Sequence, residues 1–409
     1  MKSSTLLTYG LLSITVFALG CSPAPLRRVS PSVTDQTADQ TPGKGKVKPS
    51  PNTTTDLEHP IDPNDPDPME NPSDSAKDKP IPKPDTPKVE YTPSAYLETA
   101  FISSFLDDIA GPKGNGRGTG SPENQAVAQK IADEFKALGF KAGGIGGSYF
   151  QAFNAKGRET QNIIGILPGE TDEFIVIGAH MDHLGSVNGQ VYPGADDNAS
   201  GTTGLIASAR AFAKNPSKLK RSVVFIAFSG EEMGLIGSLY FVKNPTIDLQ
   251  KIKFMVNMDM IGRYRQEFDV IGLEKTIEGN SIARELIAKT NVKPKYLGEV
   301  SAGGSDHMPF KQIGIPTGTF HTQLHDEYHQ PTDTIDRLDK TNLKTIAGIA
   351  SDLTFRLANS ESITSAAYAL IPIQLDGYTD GVHQHGGCEP ALASFEEIQS
   401  NLSALKPIR

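Results

Sequence analysis

The chain has 409 residues, room for one large domain or two smaller ones, and only 37% are apolar, so part of it is expected to stay outside any packed core. A net charge of −9 with no basic block disfavours nucleic acid as a partner, because nothing stands ready to neutralise phosphates. With only Cys21 and Cys388, a disulfide framework and a thiolate zinc centre are both excluded, and a metal site would have to use His, Asp and Glu.

Met1-Lys2 precedes an uncharged, largely apolar run over 6–19, too short for a membrane span and built like a signal peptide. The following Phe17-Ala18-Leu19-Gly20-Cys21 resembles a bacterial lipobox. That resemblance implies a signal peptide over 1–20, a diacylated Cys21, and an exported protein tethered to a membrane. Ser22 after the cysteine resembles the pattern for outer-membrane or cell-surface sorting. From 22 to 90 there is no Phe, Tyr or Trp, and 15 of the chain's 29 prolines fall there. Such a stretch buries too little apolar surface to offset its ordering entropy, so 21–90 reads as a lipid-anchor cysteine and an extended, disordered linker.

A folded domain is expected over 91–360. Tyr96, Leu97, Phe101, Ile102, Phe105 and Ile109 recur at helical spacing and predict a helix over 95–109. The glycine-rich stretch 111–120, which contains Arg117, follows a helix and precedes no phosphate-binding lysine, so it does not read as a nucleotide loop. Ser121-Pro122-Glu123-Asn124 reads as a helix start; Val127, Ile131, Phe135 and Leu138 form one apolar stripe, and Gly139 ends it. Strands are predicted over 147–153, 162–167 and 174–177, the last delivering His180 into Gly178-Ala179-His180-Met181-Asp182-His183. Gly194-Ala195-Asp196-Asp197-Asn198-Ala199-Ser200-Gly201 opens a helix through about residue 213. The strand 222–228 delivers Ser229-Gly230-Glu231-Glu232, a helix covers 235–242, and the strand 254–258 delivers Asp259. A strand over 268–271, a helix over 281–289, a strand over 313–320 leading to His321, His325 and His329, and a closing helix over 341–357 complete the domain. Strands alternating with helices predict a single three-layer α/β domain, its mixed, mainly parallel sheet covered by helices on both faces. In the extension over 361–409, 367–375 reads as an added strand, 394–405 as a short helix, and the loop with His383 and His385 carries no assigned role.

Ligands in open α/β sheets bind at the carboxyl ends of the strands. Those ends present His180, Asp182, Asp196, Asp197, Glu231, Glu232 and Asp259, with His329 arriving late. So many carboxylates in one cleft would repel one another and be forced neutral unless divalent cations were present. Histidine with carboxylate and no thiolate suits Zn²⁺, and also Mn²⁺ or Co²⁺. Two such ions roughly 3.5–4 Å apart can share a carboxylate and a water.

These blocks resemble the bacterial and fungal leucyl-type aminopeptidase family, co-catalytic di-zinc exopeptidases with glutamate carboxypeptidase II and glutaminyl cyclase as relatives. The resemblance rests on Gly-Ala-His180-Met-Asp182, Gly-Ala-Asp-Asp197-Asn-Ala-Ser-Gly, Phe-Ser-Gly-Glu231-Glu232-Met-Gly, Asn-Met-Asp259-Met-Ile-Gly, Ser305-Asp306-His307-Met-Pro-Phe and Tyr328-His329-Gln-Pro-Thr-Asp333-Thr, in that order. It implies a zinc-exopeptidase-like fold in which Asp197 bridges two Zn²⁺, His180 and Asp259 complete one site, and Glu232 and His329 complete the other. Glu231 is then the general base, Asp182 orients His180, and the Asp197–Asn198 peptide is cis. The register Asp-x-x-Ser-Gly selects Asp197 over Asp196. Tyr328 is either a donor to the developing oxyanion or a packing neighbour of His329. His183 reads as a loop residue, His321 and His325 as pocket-lining or exposed, and Asp306 and His307 as supports that do not touch metal.

The expected function is release of N-terminal residues from peptide substrates outside the cytoplasm. A carboxypeptidase of the same fold is the nearest rival. It would need Arg or Lys for the α-carboxylate, and Arg263 and Arg265 are the cations placed after the Asp259 strand. A catalytically silent surface-binding module is the reading from another class, and the intact ligand set argues against it.

Overall fold

The computed structural model describes residues 91–271, 273, 276–298 and 304–364, which belong to one compact unit. The expected signal peptide, Cys21, the linker over 21–90, and the strand, helix, His383, His385 and Cys388 expected beyond residue 364 lie outside the described residues. Among the described residues no helix is long and apolar enough to cross a membrane.

Eleven strands are present among those residues: β1 (Lys141–Ala142), β2 (Phe150–Ala155), β3 (Arg158–Leu167), β4 (Phe174–His180), β5 (Gly185–Val187), β6 (Gln190–Tyr192), β7 (Ser222–Phe228), β8 (Ile252–Met258), β9 (Phe268–Ile271), β10 (Pro294–Gly298) and β11 (Thr317–His321). The helices are α1 (Thr99–Ala110), α2 (Pro122–Ala137), α3 (Gly201–Phe212), α4 (Ile236–Lys243), α5 (Ile277–Ala288), α6 (His307–Gln312) and α7 (Lys340–Asn359). Strand order in the main sheet is β1-β3-β7-β4-β8-β11-β9-β10, with β2 also on β3, while β5 and β6 form a separate hairpin. The centre, β7-β4-β8-β11, is parallel. Antiparallel strands flank it, β3 on β7 and β9 on β11.

Successive side chains of a strand point to opposite faces, and in the buried central strands both faces are apolar. Val223, Phe225 and Ala227 of β7 join one core with Phe105, Ile131, Phe135, Leu205, Phe212 and Leu353 from α1, α2, α3 and α7. Their neighbours Val224, Ile226 and Phe228 join a second core with Phe241 of α4 and Phe310 of α6. Each such Val, Leu, Ile or Phe side chain contributes about 1.5–3 kcal/mol by leaving water. The result is the three-layer sandwich expected from the sequence.

Local signals worked where they were chemical. Ser121 caps α2 by accepting from the Asn124 amide at 3.1 Å, and Gly139 takes the left-handed φ of 74° just past its end. The helix expected over 95–109 is broken instead: a 3₁₀ turn, Pro93–Tyr96, gives way to an extended, buried Leu97 before α1 begins. The strand expected over 313–320 starts only at Thr317, because Gly314 at φ 86° turns the chain out of α6.

Candidate metal centre

The parallel strands all end at one edge, and the polar blocks follow. His180 is the last residue of β4, Asp259 the first after β8, and Glu231 and Glu232 lie just beyond β7. Asp197 comes from the irregular turn Ala195–Ser200 that leads into α3, and its peptide to Asn198 is cis. Two hydrogen bonds fasten that turn to the Asp259 loop: Asn198 donates from Nδ2 to Met258 O at 3.0 Å, and its Oδ1 accepts from the Met260 amide at 3.1 Å. His329, at φ 55°, reaches in from the loop after β11.

Asp197 divides its carboxylate. Its Oδ1 lies 3.5 Å from His180 Nε2, which is itself 3.4 Å from Asp259 Oδ1. Its Oδ2 lies 3.1 Å from His329 Nε2, which is also 3.1 Å from Glu232 Oε2. Around this carboxylate the donors sort into two groups, His180 with Glu231 and Asp259, and Asp197 with His183, Glu232 and His329. Within each group the ligand atoms lie within 4.8 Å of one another.

The charge balance is what burial makes expensive. Burial alone would lower the His180 imidazole, yet the carboxylates of Glu231, Asp259 and Asp197 hold it well above its ordinary value. The same contest, with Asp197 and Glu232 as partners, lifts His329 to about 10. Burial would raise Asp259 and Glu232, but the imidazoles prevail at both: Asp259 is held down to about 2, and Glu232 well below its ordinary value by His183 and His329. Glu231 goes the other way, raised well above its ordinary value by burial and by the charges of Glu232, Asp259 and Asp306. The cluster therefore draws positive charge onto the imidazoles of His180 and His329. Its nitrogen and carboxylate donors fit a divalent cation of the zinc type.

A supporting layer fixes the geometry. Asp182 accepts from Thr119 Oγ1 at 2.6 Å and from the Glu231 amide at 3.3 Å, so it ties the end of β4 to the glutamate pair. Its Oδ1 stands 3.8 Å from His180 Nδ1, an ionic contact rather than a hydrogen bond. Arg117 is fully buried and donates to the carbonyls of Met181, Pro193, Gly194 and Asp197, clamping both ligand-bearing turns. Asp333 accepts from the amides of Asp196 and Asp197 at 3.0 and 3.1 Å.

All five expected ligands and Glu231 are thus brought together. Asp196 is not among them; its oxygens take the Gly262 amide and His325 Nε2, at 2.7 and 3.2 Å. That contact buries His325, while His321 stays half-buried and accepts from the Gln323 amide. The Tyr328 ring stacks on His329 with centroids 3.8 Å apart. Asp306 and His307 are buried and stand outside both donor groups. His183 departs most from its sequence reading: it is 1% exposed, with Nδ1 at 2.6 Å from Glu232 Oε1. Thr119, Arg117 and His183 were missed as site residues. Their partners are backbone carbonyls or side chains far away in the chain, and the one local signal was that glycine-rich 111–120 stretch itself.

Comparison with known proteins agrees with this picture. Residues 162–354 match the family profile described as peptidase family M28. Leupeptin-inactivating enzyme 1 of Streptomyces exfoliatus is 30% identical over 217 residues, 53% of this chain and 46% of that protein. Aminopeptidase YwaD of Bacillus subtilis (strain 168) is 27% identical over 215 residues, 49% of this chain and 46% of that protein. The chain thus spans about half the length of these curated relatives. Its fold is similar to that of BSAP, a zinc aminopeptidase from Bacillus subtilis, with a TM-score of 0.52 and 18% identity over 65% of this chain and 97% of that one. The resemblance read from the six sequence blocks is borne out: all six fall within residues 162–354, the segment that matches the peptidase family M28 profile.

Proposed function

We propose that this protein is a zinc-dependent exopeptidase that removes residues from the N-terminus of peptides. The observation that carries the reading is the divided carboxylate of Asp197: one oxygen faces His180, which also faces Asp259, and the other faces His329, which also faces Glu232. His180, Asp259 and Asp197 would hold one Zn²⁺, and Glu232, His329 and Asp197 a second. Bound there, the ions would polarise the scissile carbonyl and acidify the attacking water. Glu231, raised by burial and neighbouring charge, accepts the proton of that water and returns it to the departing amine, so the peptide and one water become an acid and an amine. Asp182 holds the Glu231 amide, and burial keeps the Tyr328 phenol protonated as a donor beside His329.

Removal from the N-terminal end is favoured over the carboxyl end by the state of the two nearby cations. Arg263 Nη2 is paired with Glu327 at 2.8 Å and Arg265 donates to Leu324 O at 2.6 Å, so the Arg263 charge already faces a carboxylate, although its buried Nη1 has no hydrogen-bond partner among the described residues. The peptidase unit is assigned to 91–360. Export and tethering through a lipid on Cys21 are proposed from the Met1-to-Cys21 pattern. Cys21→Ser should then move the protein out of the membrane fraction, and continued membrane association would remove the anchor from the reading.

The test is a panel of aminoacyl-4-nitroanilides and N-blocked peptides, assayed with and without a chelator and with zinc restored. Chelator-sensitive cleavage confined to free-amine substrates is expected. Release from the carboxyl end of blocked peptides would transfer the reading to a carboxypeptidase, and no turnover with two ions bound would favour the binding module.

A further inference from the structure

We propose that His183 is a positioning residue that makes Glu232 a one-oxygen ligand, by holding its Oε1 so that only Oε2 faces the cation. The inference rests on the two-ion reading above.

The argument begins with hydrogen-bond inventory. An ionised carboxylate can only accept, so the 2.6 Å contact between His183 Nδ1 and Glu232 Oε1 places the proton on Nδ1. A nitrogen that carries a proton and donates it has no lone pair left for a metal. His183 therefore differs from His180 and His329 in how it divides its contacts: its Nδ1 stands 2.6 Å from Glu232 Oε1 and only 3.8 Å from Asp197 Oδ2, whereas their Nε2 atoms lie 3.1–3.5 Å from two carboxylates each. The other oxygen of Glu232, Oε2, lies 3.1 Å from His329 Nε2. The two oxygens are thus assigned to different tasks.

The imidazole is also held in place. Its backbone amide donates to Arg117 O at 3.3 Å, which joins it to the glycine-rich loop. A Cβ on Gly194 would lie 2.4 Å from ring atoms Cγ and Cδ2, so the ring lies flush against a residue that has no side chain. Gly194 further sits at φ 57°, a conformation L side chains rarely adopt, so that backbone is kept open for the ring in two ways. On another side the His329 ring meets it edge-on, centroids 5.7 Å apart. His183 Nε2 is buried with no hydrogen-bond partner among the described residues, so the ring's one hydrogen bond there is the one from Nδ1 to Glu232. A ring so confined cannot follow Glu232 if that side chain turns, and therefore fixes it.

The consequence concerns one ion more than the other. Partners that orient metal ligands typically carry about 10–100-fold in affinity. His183→Leu and His183→Asn in the full-length protein, titrated with zinc against a competing chelator and counted by elemental analysis, test this. Wild type should bind two ions. His183→Leu should keep one at wild-type affinity and bind the other about 10–100-fold more weakly, and His183→Asn, whose amide nitrogen on Cγ takes the place of Nδ1, should recover most of the loss. Wild-type affinity at both sites in His183→Leu would overturn the inference, as would a His183→Asn that falls as far as the Leu variant. Fewer than two ions on wild type would instead overturn the underlying reading, and the inference with it. A measurement on wild type needs no variant to fold: in the zinc-loaded protein, nitrogen NMR should show His183 Nδ1 protonated, and a bare, metal-coupled Nδ1 would make His183 a ligand and sink the proposal.

Discussion

Strands β4, β7 and β8 carry charge at both ends, and the two ends are balanced in opposite ways. At the amino ends, Glu173 bonds Arg221 at 2.8 Å and Lys253 at 3.0 Å, Lys251 meets Asp172 at 2.6 Å, and Lys220 meets Glu361 at 2.8 Å. Each of those acids has its cation from the chain. At the carboxyl ends, Asp197, Glu231, Glu232 and Asp259 face imidazoles and one another, while Arg117, the guanidinium behind them, is turned to backbone carbonyls. One scaffold therefore supports a closed electrostatic system at one edge and an open one at the other. The open edge is the one that calls for cations from outside.

The largest effect should come from withholding those cations. Chelation should take peptidase activity to background and lower the melting temperature, since a ligand at a hundred times its Kd stabilises the folded state by about 2.7 kcal/mol. Zinc titrated back should restore both, and a melting temperature indifferent to zinc would break the comparison by showing that the carboxyl edge is balanced without it. Next in size, Glu231→Gln should lower kcat by about 10²–10⁴-fold, the usual range for a general base, with both ions retained. Loss of an ion in that variant would make Glu231 a ligand instead, as its place beside His180 and Asp259 would allow.

The difference between the edges also explains what could be read from the sequence. The run Val223-Val224-Phe225-Ile226-Ala227-Phe228 is apolar on both faces and bounded by polar residues, so a buried central strand was legible to its ends. His180, Glu231, Glu232 and Asp259 were legible because each ends or directly follows such a strand, whereas Asp197 and His329 lie in loops and were legible only through their motifs. Two-residue β1, the β5–β6 hairpin, and α6, six residues with a proline inside, hold too little periodicity to be seen. Edge strand β10 begins at a proline, which also hid it. The support of the site was illegible for another reason. Arg117 acts on carbonyls, which every residue has, and His183 acts on a glutamate 49 residues away. Asp182 was expected on His180, and its closest bond is to Thr119, 63 residues earlier. Thr119→Val tests that reading of the supporting layer: about a 10-fold fall in kcat at saturating zinc is expected, with Thr119→Ser near wild type. Equal kcat in the Val variant would show that Asp182 needs no anchor.

The smallest expected effect lies at the closed edge, and it should respond to pH and not to metal. Burial raises the Glu173 carboxyl, but Lys253 and Arg221 more than offset that and hold it below its ordinary value of 4.5. A carboxyl depressed in the folded state contributes stability above the unfolded pKa and loses it as pH falls through the folded one. Glu173→Gln should therefore cost about 1–2 kcal/mol at neutral pH, because it leaves the nearly buried Arg221 without its charged partner. Arg221 keeps its bonds to Leu357 O and Ser360 O, which limits the loss. Urea unfolding of both metal-free proteins, at neutral pH and again in acid, measures the gap between them. The gap should close in acid, where wild-type Glu173 is protonated as well. A gap that persists in acid would mean that Glu173 acts by shape rather than charge, and one that changes when zinc is added would mean that the two edges are coupled through the strands.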